Sequence, residues 1–150
     1  MRAIDLAGRF DITKHPENGS FKEYHYESTE GGRAGSGSIV YYVGPEEKTE
    51  FHVIDCDEYW CYSEGADLEI WIIDEEHKLR IEKLGVEEGS MPFVYVKKGS
   101  IFASKHGSNA SDGTFLVCIT VPRFSYDGFR LVEKEEAVEY CPDVIRFFEQ

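Results

Sequence analysis

Apolar and polar positions alternate over short runs through most of the chain, and clusters of turn-forming residues break the runs. SFKEYHYES (20–28) is rich in aromatics and alternates loosely, and SIVYYVG (38–44), EFHVID (50–55) and EYWCYSEG (58–65) follow it. DLEIWIID (67–74) and HKLRIEKLG (77–85) predict a hairpin across the acidic turn DEEH, and MPFVYVKKGS (91–100), IFASKH (101–106) and TFLVCITVP (114–122) complete a β-rich body. Short strands without βαβ alternation predict a sandwich or closed barrel. EGGRAGSGS (30–38), with four glycines, predicts a connection without regular structure. Only the C-terminal end has a helical pattern. EKEEAVEY (133–140) is built of helix formers, and PDVIRFFEQ (142–150) opens with Pro142 and an early acid, both suited to a helix start. Val144, Ile145 and Phe148 are expected to form its apolar stripe against the barrel. No internal repeat or second-domain linker interrupts the pattern, so residues 1–150 read as one domain, long enough to bury a core.

Composition narrows the class of partner. Hydrophobic residues make up 41% and aromatics 14%, as a globule requires, while 29 acids against 16 Lys and Arg give a formal charge of −13. Such acidity argues against a nucleic-acid or anionic-membrane partner, both of which need a basic surface. The N-terminal MRAIDLAGRFDITKH lacks the apolar stretch of an export signal, and no run approaches a membrane span. The four cysteines, at 56, 61, 118 and 141, lack the close pairs of a zinc knuckle. They are expected as reduced thiols in a cytoplasmic protein. Nucleophile-elbow, phosphate-loop and dinucleotide fingerprints are absent.

Candidate chemistry concentrates in FHVIDCDEYWCYSEG (51–65). His52 and Glu58 share the parity of Ile54, and one strand sends such residues to one face. On an interior face, desolvation perturbs both groups, and a histidine shuttles protons near neutral pH. The alternative is that the two only pair with each other or hold ligand hydroxyls. In KHPENGSFKEYHYE (14–27), alternation places Glu23 on a face with Phe21 and His25, and His15 reads first as a residue that stabilises a turn. Tyr41, Tyr42, Phe51, Trp60, Trp71, Phe93, Tyr95, Phe102 and Phe115 are core candidates, of which Trp60, Tyr41 and Phe102 are also candidates for a ligand wall. Cys56 and Cys61 admit a redox pairing, but buried inert thiols are the plainer reading.

These blocks carry a family resemblance. His52, Ile54, Glu58 and Gly65 follow the spacing of the first cupin motif, G-x5-H-x-H-x3,4-E-x6-G, with Ile54 at the second histidine. In the region of the second motif Gly89 and Gly99 fit, while Lys97 stands at the proline and Phe102 at the histidine. KHPENGSFKEYHYES, FHVIDCDEYWCYSEGADLEI, KLG, VYVKKGSIFAS and CITVPRFSYDGFRL occur in this order, and over about residues 12–132 the chain resembles the single-domain cupins of the cupin-5 family, a domain of unknown function. It departs from the family pattern at Asn18, Lys22, Phe51, Cys61 and Arg123. The resemblance implies an all-β double-stranded β-helix, the cupin jelly roll, of two antiparallel sheets with a short C-terminal helix in 133–150. It further implies a small ligand in the barrel and a homodimer with sheet edges paired across subunits.

A typical cupin site holds a metal with three histidines and a glutamate. Here two of the four positions are Ile54 and Phe102, so no cofactor is expected; a weakly held divalent metal at His52 and Glu58 is the exception. The function expected is binding of a sugar-like or nucleotide-derived molecule, with metal-independent isomerisation or epimerisation as its possible chemistry. His52 would be the base and Glu58 and Glu23 would orient the ligand or relay protons, with His25, Trp60, Tyr41 and Phe102 around it. A non-catalytic metabolite-binding module is the alternative, and a metal-dependent oxygenase or lyase ranks third. A fold that hosts many chemistries does not choose among them.

Overall fold

The computed structural model describes residues 2–10, 12–26, 32–108 and 110–149, with the side chains of 24–26 outside that description. Among the described residues, two antiparallel sheets face each other. The first runs, in spatial order, β1 (Thr13–Lys14), β2 (Ser20–Tyr26), β3 (Gly37–Val43), β10 (Thr114–Val121), β5 (Asp57–Gly65) and β8 (Phe93–Val96). The second runs β11 (Arg130–Leu131), β4 (His52–Val53), β9 (Ile101–His106), β6 (Leu68–Ile73) and β7 (Leu79–Leu84). This is the expected jelly roll.

Strand alternation builds the core between the sheets. Leu68, Ile70 and Ile72 of β6 face Tyr41, Val43, Trp60, Leu116 and Cys118 of the first sheet. The other face of β6, Trp71 and Ile73, is also buried, because the C-terminal segment covers it together with Phe51. That double cover explains why DLEIWIID reads as a nearly continuous apolar run. The hairpin to β7 pairs Ile73 with Leu79 across the expected acidic turn, where Asp74 Oδ1 accepts the N–H groups of Glu76 and Lys78, each at 2.9 Å.

The C-terminal segment forms α2 (Lys134–Tyr140), a 3-10 turn over Pro142–Val144 and α3 (Ile145–Phe148). Its buried stripe is Val144 and Phe147, with Ile145 and Phe148 only partly buried, because the 3-10 turn at Pro142–Val144 sets residues three apart on one side. Phe147 packs edge-on against Phe51 and Trp71, with ring centroids 4.7 and 5.5 Å away.

Three expectations are corrected. A helix absent from the sequence reading, α1 (Ala3–Arg9), lies on the outer face of the first sheet and buries Ala3 and Ala7 with Val40, Tyr42 and Phe115. Its seven residues are too few to show a period, and only the sheet beneath them supplies the apolar partner. Phe93 and Tyr95 are not core: they occupy the outward positions of β8, 47% and 39% exposed. The run 50–65 is not one face of one strand. β4 belongs to the second sheet and β5 to the first, and residues 54–56 carry the chain across between them.

Candidate functional site

The tight turn between β1 and β2 builds one wall of the site. His15 N–H donates to the Gly19 carbonyl at 2.9 Å and Asn18 N–H to the His15 carbonyl at 3.0 Å. Asn18 and Gly19 both take left-handed conformations, with φ of 74° and 72°. Asparagine tolerates that region, and Asn18 is anchored by Nδ2 donating to the Lys48 carbonyl at 3.0 Å. Gly19 has a second reason to be glycine, since a Cβ there would lie 2.6 Å from the Tyr41 hydroxyl oxygen. That hydroxyl donates to the Asn18 carbonyl at 2.6 Å, pinning the turn to β3. The result aims Glu17 inward, 6% exposed.

His52 reaches the same point from the opposite sheet. Its Nδ1 lies 2.8 Å from the Glu50 carbonyl, which only accepts, so Nδ1 carries a proton. Its Nε2 meets Glu17 Oε2 in a buried ion pair. Burial by itself lowers the pKa of His52, but the Glu17 charge, its hydrogen bonding and the Glu50 carbonyl outweigh burial and raise it. Burial likewise works against the Glu17 carboxylate, and the charges of His52 and His15 more than reverse the effect, leaving its pKa lowered. An imidazolium donating from both nitrogens has no lone pair for the base role expected of His52. Phe102, paired with His52 across β4 and β9, supports the ring from behind at 4.1 Å between centroids.

Glu58 enters from β5, 8% exposed, with the Trp60 indole as the hydrogen-bonding neighbour of its carboxyl. Burial, reinforced by the Glu17 charge and only partly offset by His52, pushes its pKa up to about 8. His15 completes the group. Glu17 N–H donates to its Nδ1 at 3.2 Å, the turn-stabilising bond the sequence suggests, and burial lowers its pKa against the pull of Glu17. The imidazole is therefore neutral, with its proton on Nε2.

These four groups line the buried end of a cavity of about 680 Å³. Phe21, Ile39, Ile54, Cys118 and Thr120 form its walls. Arg33, Arg123, Glu23 and Tyr126 stand on its more exposed side. Arg33 holds Asp55 through both terminal nitrogens at 2.9 and 2.8 Å and donates from Nε to the Arg123 carbonyl at 2.6 Å. Arg123 in turn grips Glu23 at 3.0 and 2.6 Å.

The structure thus brings His52 and Glu58 together on one cavity, from two sheets rather than by parity along one strand. Glu23 also lines it, committed to Arg123. Trp60, Tyr41 and Phe102 are 1%, 0% and 0% exposed and pack behind the lining. Trp60 Nε1 is buried there outside strict hydrogen-bond geometry, and the Glu58 carboxyl is the acceptor within its reach. The His25 side chain lies outside the described residues, and a bulge between Glu23 and His25 breaks the alternation that linked them. Sequence reasoning did not assign Glu17, Arg33 or Arg123 to the site. The Asn-Gly pair was the available signal for Glu17, since two left-handed residues in a row mark a tight turn that must aim its neighbour somewhere. Cys56 sits in the core, with burial pushing its thiol up to about 12, whereas Cys61 lies on the outer face of β5 opposite Phe93. All four cysteines are free.

A cupin metal would need donors at the positions of His52, Ile54, Glu58 and Phe102. Two of these are hydrocarbon, and both His52 nitrogens are engaged, so the residues do not fit that group. Among the described residues no cluster of three or more His, Cys, Asp or Glu is arranged to hold a metal ion.

Comparison with known proteins agrees with this architecture. A protein of Shewanella oneidensis is similar at 27% identity and TM-score 0.86, covering 95% of this chain and 92% of that one. A hypothetical protein from Leishmania major is similar at 26% identity and TM-score 0.81, covering 95% and 94%. An oxalate decarboxylase variant of Bacillus subtilis shares the fold at 14% identity and TM-score 0.62, covering 93% of this chain and 36% of that one. Among curated proteins, none matches the chain. The family Cupin_5, described as cupin superfamily (DUF985), matches residues 5–132, and the chain belongs to it.

Proposed function

We propose that this protein binds a small polar, sugar-like molecule in the cavity between its sheets. The observation that carries the reading is Glu58: a carboxyl removed from water and facing a cavity, whose side-chain hydrogen bond to the donor-only Trp60 indole leaves its own O–H without an acceptor among the described residues. A buried polar group in that state costs stability unless a ligand or water completes it. Apolar walls with a few placed polar groups are the usual make-up of a small-molecule site. Nucleotide-derived ligands come second, because Arg33 and Arg123 already hold carboxylates and phosphates would compete with Asp55 and Glu23.

A second reading, metal-independent isomerisation or epimerisation, is favoured by one specific observation. Glu58 and Glu17 lie at the same buried end with pKa values driven in opposite directions, which is how acid and base roles are divided between like groups. Glu58 is then the acid that protonates a ligand oxygen, and His52 holds the Glu17 carboxylate in place.

A thermal-shift screen of sugars, nucleotides and keto acids tests the binding reading, since a ligand of the folded state raises the melting temperature. A stabilising sugar whose effect disappears in Glu58→Ala is the expected result; no stabiliser in any class overturns it. Incubating that hit with protein in D2O separates the two readings. Deuterium appearing on carbon beside the carbonyl establishes proton transfer, and an unchanged ligand leaves binding alone.

A further inference from the structure

His15 carries an unanswered donor on the cavity that Glu58 lines. Because its Nδ1 accepts from Glu17 N–H, the proton of the neutral ring sits on Nε2. The residue is 7% exposed and lines the cavity, and among the described residues no acceptor meets Nε2. His15 and Glu58 flank the Glu17–His52 pair, and each feels the charge of Glu17. Resting on the binding reading above, we propose that His15 and Glu58 form a two-point clamp for neighbouring oxygens of an uncharged ligand, a polyol or a hydroxy-carbonyl compound.

The chemistry of the two groups sets the ligand class. Nε2–H only donates, so it takes a carbonyl or hydroxyl oxygen. A protonated carboxyl both donates and accepts, which matches a hydroxyl in both directions. Charge excludes the anionic alternative. The lining cations are each committed: His52 to Glu17, Arg33 to Asp55 and Arg123 to Glu23. A carboxylate ligand at this depth would face the Glu17 charge with no further cation among the described lining residues to balance it. An uncharged ligand meets no such penalty. Phe21, edge-on to His15 at 4.7 Å, and Phe124, at 6.3 Å, offer apolar surface beside the clamp to C–H groups.

The test uses four probes, dihydroxyacetone and erythritol against glycolate and oxalate, titrated into the full chain and followed by NMR. His15→Asn keeps an oxygen where Nδ1 accepts from Glu17 N–H but places no donor at Nε2; His15→Gln reaches the Nε2 position. The expected result is binding of a neutral probe that weakens about tenfold in His15→Asn and recovers in His15→Gln. In the wild-type chain, the His15 Nε2 resonance shifts on adding that probe, a readout that needs no variant to fold. Preference for dihydroxyacetone identifies a hydroxy-carbonyl ligand, and preference for erythritol a polyol. Tighter binding of glycolate or oxalate, or a neutral probe that leaves the His15 resonance unmoved, overturns the clamp. If all four probes fail while the wider thermal-shift screen finds another ligand, the clamp falls and the binding reading stands; an empty wider screen removes both.

Discussion

Glu17 and Glu58 are chemically identical side chains at nearly equal depth, yet their surroundings set them apart. His52 stands against Glu17 in a buried ion pair, whereas Glu58 has no ion-pair partner among the described residues and feels the His52 charge only as a partial offset to burial. For Glu58 a measurable pH dependence follows. The unfolded carboxyl loses its proton near 4.5, but the folded one keeps it up to about 8. Between those values the folded chain binds the additional proton, so this group's contribution to stability falls as pH rises. The slope is on the order of 1 kcal/mol per pH unit. Glu58→Gln lacks the titration, so in urea unfolding it should gain on wild type steadily from pH 5 to pH 8. Curves that stay parallel across that range would show Glu58 to be an ordinary carboxylate.

At the scale of elements, the short turn between β1 and β2 governs the site. Gly19→Ala combines a left-handed backbone with a Cβ 2.6 Å from the Tyr41 oxygen, so it should cost about 2 kcal/mol or more in thermal unfolding. Asn18→Gly removes a side chain from a similar backbone without strain and serves as the milder control. An alanine variant as stable as wild type would mean that the turn adapts freely. Much at this scale was legible in the residues. The β6–β7 hairpin and the strands at 38–44, 58–65, 101–106 and 114–122 come close to their observed bounds, because alternation of period two is a local property. α1 and the two-residue strands β1 and β11 were not legible, and β4 was read only as part of the longer run 50–55. Each of the unread elements is too short to carry a period, and each exists because a sheet lies beside it.

For the whole molecule, the decisive relation is between the sheets. β4 brings His52 from one and β5 brings Glu58 from the other, so the site depends on the sandwich being closed. The C-terminal segment stiffens that closure from outside by covering Phe51, the residue before His52. Phe147→Ala, which removes a ring 2% exposed, should destabilise the chain by about 3–5 kcal/mol and lower its thermal midpoint. A near-neutral effect would show the segment to be an appendage.

Alternation was enough to predict a β-sandwich or barrel, helix formers a C-terminal helical segment, and motif spacing the resemblance that implied a jelly roll, while an interior place for His52 and Glu58 stayed a condition that only the fold could meet. Such patterns are local or repeated, readable one run at a time. Which groups meet was decided only by folding. Glu17 pairs with His52 across 35 positions of sequence, Arg123 with Glu23 across 100, and Trp60, Tyr41 and Phe102 fill the core behind the cavity. Partner, depth and protonation state are properties of three-dimensional neighbours, and a linear pattern of residue types contains none of them.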